Sequence, residues 1–141
     1  MTHSLPVHPI IEREDLLERL GGRKGRAFSR SLRSKVHDGS RTLYRLMNPR
    51  LLFIKERIKK AEAGRVHLRG GITFKSRKLS RALHDSEEVI CFLSTIGGQI
   101  DFEIKRMMRQ GRLSEAFVMD ALASVAVESV AEQFHRRMES T

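Results

Sequence analysis

The stretch Ala121-Leu122-Ala123-Ser124-Val125-Ala126-Val127-Glu128-Ser129-Val130-Ala131 decides how this chain folds, because only Ser124, Glu128 and Ser129 in it are polar. A helix over these residues has no broad polar face, so other elements have to enclose it. Upstream, Ser114 and Glu115 offer a cap and a first-turn acid that the helix dipole favours. The helical pattern then runs to about Met138. The expectation is a long C-terminal helix at the centre of the core. Its polar remainder, Asp120, Ser124, Glu128, Glu132, His135 and Glu139, recurs at i+3/i+4 spacing and forms one narrow stripe.

Working outward, Gly111 ends a preceding helix that holds Ile104, Met107 and Met108. That helix follows the turn Ile96-Gly97-Gly98-Gln99-Ile100-Asp101-Phe102. Val89-Ile90-Cys91-Phe92-Leu93 is a continuous apolar run and predicts a strand buried on both faces. Leu51 to Ile54, Val66 to Leu68 and Ile72 to Phe74 read as short strands in a hairpin-like arrangement, punctuated by Gly64, Gly70 and Gly71. Ser76 is placed to cap a short helix holding Leu79, Ala82 and Leu83. From Phe28 to Met47 the apolar spacing is helical but weakens at Asp38-Gly39, which leaves one helix or two short ones, stopped by Asn48-Pro49. Leu16, Leu17 and Leu20 mark a short first helix that Gly21-Gly22 ends, and a basic connector, Arg23 to Arg26, follows. The fold class expected is α+β: a mixed or antiparallel sheet packed with helices, with 1–141 as a single domain.

A chain of 141 residues with 40% hydrophobic and 31% charged residues can bury a sizeable core without disulfides. Its single cysteine, Cys91, fits a reducing compartment. No apolar run approaches a membrane span and Met1 to Pro9 does not read as a secretory signal, so the expected location is the cytoplasm, without a membrane partner. Charge is uneven. Residues 1–84 hold 21 Lys and Arg against 7 Asp and Glu, whereas residues 85–141 hold 6 against 10. A basic half of this size favours an acidic partner.

Catalytic motifs are missing. The six histidines lie in separate segments without metal-ligand spacing, and there is no P-loop, full G-x-G-x-x-G or nucleophile elbow. Cys91 sits in an apolar run, where a thiol behaves as an inert small hydrophobe. The chain is therefore expected to work by binding. The turn Thr95-Ile96-Gly97-Gly98 lies between a strand and a helix start, where free N–H groups can hold an anion; on the local signal alone a plain glycine turn with nothing bound is the better explanation. Glu128 interrupts the apolar run. It belongs either to a narrow solvated stripe or to a site for a ligand with a positive centre. The thirteen Lys and Arg from Arg23 to Lys60 lack the aromatic interleaving of single-strand binders, which argues against nucleic acid as the partner.

Taken together, three segments resemble the activation domain of vitamin B12-dependent methionine synthase and its small stand-alone microbial relatives. These are Ile11 to Gly21, Val89 to Asp101, and Ala116 to Met138 with Asp120-Ala121 and Ala126 to His135. The resemblance runs nearly end to end and implies a mixed α/β fold that binds S-adenosylmethionine and presents it to a cobalamin module for reductive remethylation. Glu128 matches the ligand-contacting glutamate of the family's long helix, and Thr95, Gly97 and Asp101 match its Thr-x-Gly turn and the Asp that follows. The family continues into an Arg-x-x-x-Gly-Tyr loop that this sequence does not contain, and Gly98 stands where a proline is common. The implied role is that of an accessory or reactivation protein in corrinoid-dependent methyl transfer, not catalytic alone. Cobalamin would be met only through a partner, either a cobalamin-binding methionine synthase module or an acidic electron-transfer protein. Two other functions remain open on the residues: a basic interaction module that docks an acidic partner without a small molecule, and a nonspecific nucleic-acid binder.

Overall fold

The computed structural model describes residues 1–22 and 28–141. The basic connector read at Arg23 to Arg26 lies outside the described residues. Five strands and five helices follow in the order β1 (His3–Leu5), α1 (Arg13–Arg19), α2 (Arg30–Leu46), β2 (Arg50–Glu62), β3 (Arg65–Leu68), β4 (Thr73–Lys75), α3 (Arg77–Ala82), β5 (Glu88–Thr95), α4 (Gly98–Arg109) and α5 (Leu113–Glu139). This is an α+β fold with an antiparallel sheet and a long C-terminal helix. Its contacts divide it into two compact units, Met1–Leu5 with Leu52–Leu93, and Pro6–Leu51 with Ser94–Thr141.

The first unit holds the sheet, ordered β1-β2-β3-β4 with β5 also paired to β2. β2 and β3 are antiparallel and joined at Ala63-Gly64, where both residues have positive φ, 54° and 76°. Two successive positive φ values are what a two-residue hairpin turn of the twist-matching kind requires. A bulge between Ile58 and Lys60 shifts the register, so Ile58 and Ala61 both face the small core with Val66 and Leu68. Leu79 and Leu83, around α3, cover it. The α3 start is capped as expected, the Ser76 hydroxyl accepting from the Leu79 N–H at 3.1 Å.

Two expectations fail in the sheet. β2 reaches from Arg50 to Glu62, far beyond the Leu51 to Ile54 run, because its second half alternates Lys, Arg and Glu with Ile58 and hides its period-2 signal. β5 is not buried on both faces. Val89, Ile90 and Cys91 are half-buried, while Phe92 and Leu93 are 44% and 64% exposed.

The second unit is helical, with α5 against α1, α2 and α4. From α5, Met119, Leu122, Ala126 and Val130 are completely enclosed, and Leu16, Leu43, Ile100 and Met107 meet the same core from the other helices. The long helix is thus the core helix of this unit, as its composition demanded. α1 and α4 stop in the same way. Gly21 and Gly111 take φ of 80° and 74°, and the following N–H groups of Gly22 and Arg112 donate back to Leu17 and Met107 at 2.8 and 2.9 Å. The start of α5 differs from expectation: Arg112 holds the cap position without a side-chain bond, and Ser114 lies inside the first turn. α2 is one continuous helix, capped by the Ser29 hydroxyl accepting from the Leu32 N–H at 3.2 Å. Among the described residues no helix is long and apolar enough to cross a membrane.

Candidate functional site

Glu128 projects from α5 toward α1, and the Arg19 guanidinium at the end of α1 donates to its carboxylate. The segment before α1 is also tied to α5. The Ile10 N–H donates to the Ser129 hydroxyl at 2.8 Å and the Gln133 side-chain amide to the His8 carbonyl at 3.1 Å. These anchors lay α1 along the polar stripe of α5 and open a shallow hollow of about 420 Å³ lined by Asp15, Glu18, Arg19 and Glu128. A neighbouring hollow of about 340 Å³ adds Glu12, Glu14 and Glu132, with Arg136 at its wall. Arg136 is already engaged by Glu132 at 2.6 Å. Among the described residues, carboxylates therefore outnumber cations in these two hollows.

The Glu128 side chain remains 64% exposed and lies on an exposed stripe with Asp120, Glu132, His135 and Glu139. An enclosed mid-helix acid is not what forms, because α1 has only seven residues and covers one side of the stripe. Among the described residues, the chemistry of the hollow is that of a water-accessible, anionic ledge on which Arg19 pairs with Glu128. Such a ledge attracts a positive centre and gains little from any single exposed ion pair.

The turn after β5 is built differently. Gly97, at the N-cap of α4, has φ of 93°, and a Cβ there would lie 3.2 Å from the Asn48 Cβ. The Asn48 N–H donates to the Ile96 carbonyl at 2.7 Å, which seals this close approach. The Gly97 N–H is itself taken by the Thr95 hydroxyl at 3.0 Å. So glycine is required here by backbone geometry, and one of the N–H groups an anion could use is already satisfied. Asp101 is exposed in the first turn of α4, where the helix dipole favours it. None of Thr95, Gly97 and Asp101 lines the hollow at Glu128.

Asp15, Glu18 and Arg19 were not singled out from the sequence. They read there as the polar side of a short helix, and no linear signal placed that helix beside Glu128. Cys91 is half-buried, with its thiol pushed up by burial and by the Glu56 carboxylate, so it stays protonated and unreactive at neutral pH. Among the described residues no group of His, Cys, Asp and Glu is placed to hold a metal ion. In comparisons with known proteins, the chain matches no family model and no curated protein.

Proposed function

We propose that the protein is an accessory module of the methionine synthase activation type, holding S-adenosylmethionine through the acidic face between α1 and α5. The observation that carries this reading is the Glu128 carboxylate, which opens onto a hollow it shares with Asp15 and Glu18. Those groups suit a sulfonium and an ammonium, the two positive centres of S-adenosylmethionine, and the volume is within the range of about 300–1,000 Å³ common for small-ligand sites. Binding exchanges the Arg19 guanidinium for the ligand's positive centre, so Arg19 acts as a competitor that neutralises Glu128 when the site is empty. In the resembled family S-adenosylmethionine supplies a methyl group to a partner's cobalamin; this chain's part is to bind and present the ligand.

Calorimetric titration with S-adenosylmethionine tests the reading. Binding should weaken about fivefold in Glu128→Ala, equivalent to about 1 kcal/mol for an exposed charge contact. It should tighten in Arg19→Ala. No heat at high micromolar protein, or equal affinity in wild type and Glu128→Ala, rejects it.

A second reading, docking of an acidic protein without a small ligand, is favoured by one observation. Lys55, Arg57 and Lys59 alternate along β2 and are all exposed, which sets three cations on one sheet face. Only Lys55 among them has an ion-pair partner among the described residues, Glu88 at 3.0 Å. Docking through this row should weaken steeply as salt rises. An interaction indifferent to salt between low and physiological strength counts against it.

A further inference from the structure

α2 turns two faces to its surroundings. Leu32, Val36, Leu43 and Leu46 pack into the helical core, while Arg30, Ser34, Lys35, Asp38 and Thr42 recur at helical spacing along the opposite border. That polar border forms one wall of an open cavity of about 710 Å³. The facing wall comes from the α4–α5 turn, where Arg112 is held by Glu115 at 2.6 Å and by Gln110 at 3.3 Å. Gly39 and Met107 also line the groove, both of them buried. Because Gly39 has no side chain, α2 lies close to α5: a Cβ there would sit 2.8 Å from the Leu122 Cδ1.

The charges in this groove are incompletely matched. Arg112 is neutralised by Glu115, but Arg30, Lys35 and Asp38 have no ion pair among the described residues. Two free cations at i and i+5 on one helix, with the Ser34 hydroxyl between them, present donors that suit the acceptor oxygens of a phosphate. Asp38 lies one turn further along and presents the opposite chemistry, an acceptor for hydroxyl groups, with the Thr42 hydroxyl beyond it. A bare phosphate leaves Asp38 unused and fills a small part of the volume. A phosphate at one end with hydroxyls at the other uses both.

We infer that the groove between α2 and the α4–α5 turn binds a phosphate ester of a polyhydroxylated small molecule, of the size of a sugar phosphate or mononucleotide. Arg30 and Lys35 hold the phosphate, and Asp38 accepts from the hydroxyls. The groove shares no lining residue with the hollow at Glu128, so this site stands whether or not that hollow binds S-adenosylmethionine.

The test is an amide NMR titration with ribose 5-phosphate, inorganic phosphate and ribose as separate probes. Ribose 5-phosphate should shift the amides of residues 30–42 and 112–115 saturably, more tightly than inorganic phosphate, and ribose should not. Arg30→Gln with Lys35→Gln should weaken ribose 5-phosphate about tenfold. Both side chains belong to exposed or half-buried positions, and the amide spectrum itself reports that the variant is folded. Asp38→Asn should lower the preference for ribose 5-phosphate over inorganic phosphate. Shifts spread over the cationic β2 row instead of the groove overturn the proposal. So do equal affinities for phosphate and ribose 5-phosphate, or a double variant that binds as wild type does.

Discussion

Ala63 is the one described non-glycine residue with positive φ, and it sits where the β2–β3 turn needs that conformation. An L-residue with a Cβ pays roughly 1–2 kcal/mol there, whereas asparagine tolerates the region well. Ala63→Asn is therefore expected to stabilise the protein by about 1 kcal/mol, read as a shifted urea midpoint at unchanged slope. Glu103 shows a different residue-scale effect. The hydrogen bonds from Arg106, at 2.6 and 3.0 Å, hold its carboxyl below the usual range, with the charges of Arg112 and Arg45 helping and burial opposing. A carboxyl lowered on folding contributes stability above its unfolded pKa and loses it as pH falls through the folded value. Thermal melts between pH 7 and 3 should lose stability more steeply in wild type than in Glu103→Gln at the acid end. Identical acid limbs would refute that coupling.

At the scale of elements, the contact of α2 with α5 turns on Gly39 and Leu122. In the sequence, Asp38-Gly39 looks like a break in a helix, since glycine costs about 1 kcal/mol in a helix interior. In the fold the helix continues, and glycine serves the close approach to Leu122, whose side chain is fully buried. Gly39→Ala gains propensity but overpacks this contact, at a cost of about 1–3 kcal/mol, so net destabilisation of about 1 kcal/mol is expected. Leu122→Ala should cost about 2–5 kcal/mol. Combining them discriminates: with Leu122 shortened, Gly39→Ala should become neutral or stabilising in denaturant titrations, because the two sites share one contact. Additive losses would mean that the Cβ meets something other than Leu122.

Across the whole molecule, burial is concentrated in one helix and one hairpin. Met119 to Val130 in α5 and Val66 to Leu68 in β3 contain the most enclosed residues of the two units. Their amides should exchange slowest with deuterated solvent, and those of α1 much faster, since α1 is short and mostly exposed. Protection in α1 equal to that in α5 would contradict the burial pattern. Periodicity and punctuation were enough, without coordinates, to locate the enclosed C-terminal helix, the glycine stops at Gly21 and Gly111, the Ser76 cap and the α+β class. Each of these depends on neighbours within a few positions along the chain. The rest depends on residues far apart in sequence. The length of β2 comes from partners across the sheet that make a charged strand worth forming, and the exposure of Phe92 and Leu93 from what does not cover them. The company of Glu128 comes from α1, more than a hundred positions away, and the groove along α2 from a turn that begins some seventy residues later. Spacing told which side of each helix was polar; only packing decided which polar sides would face each other across a hollow.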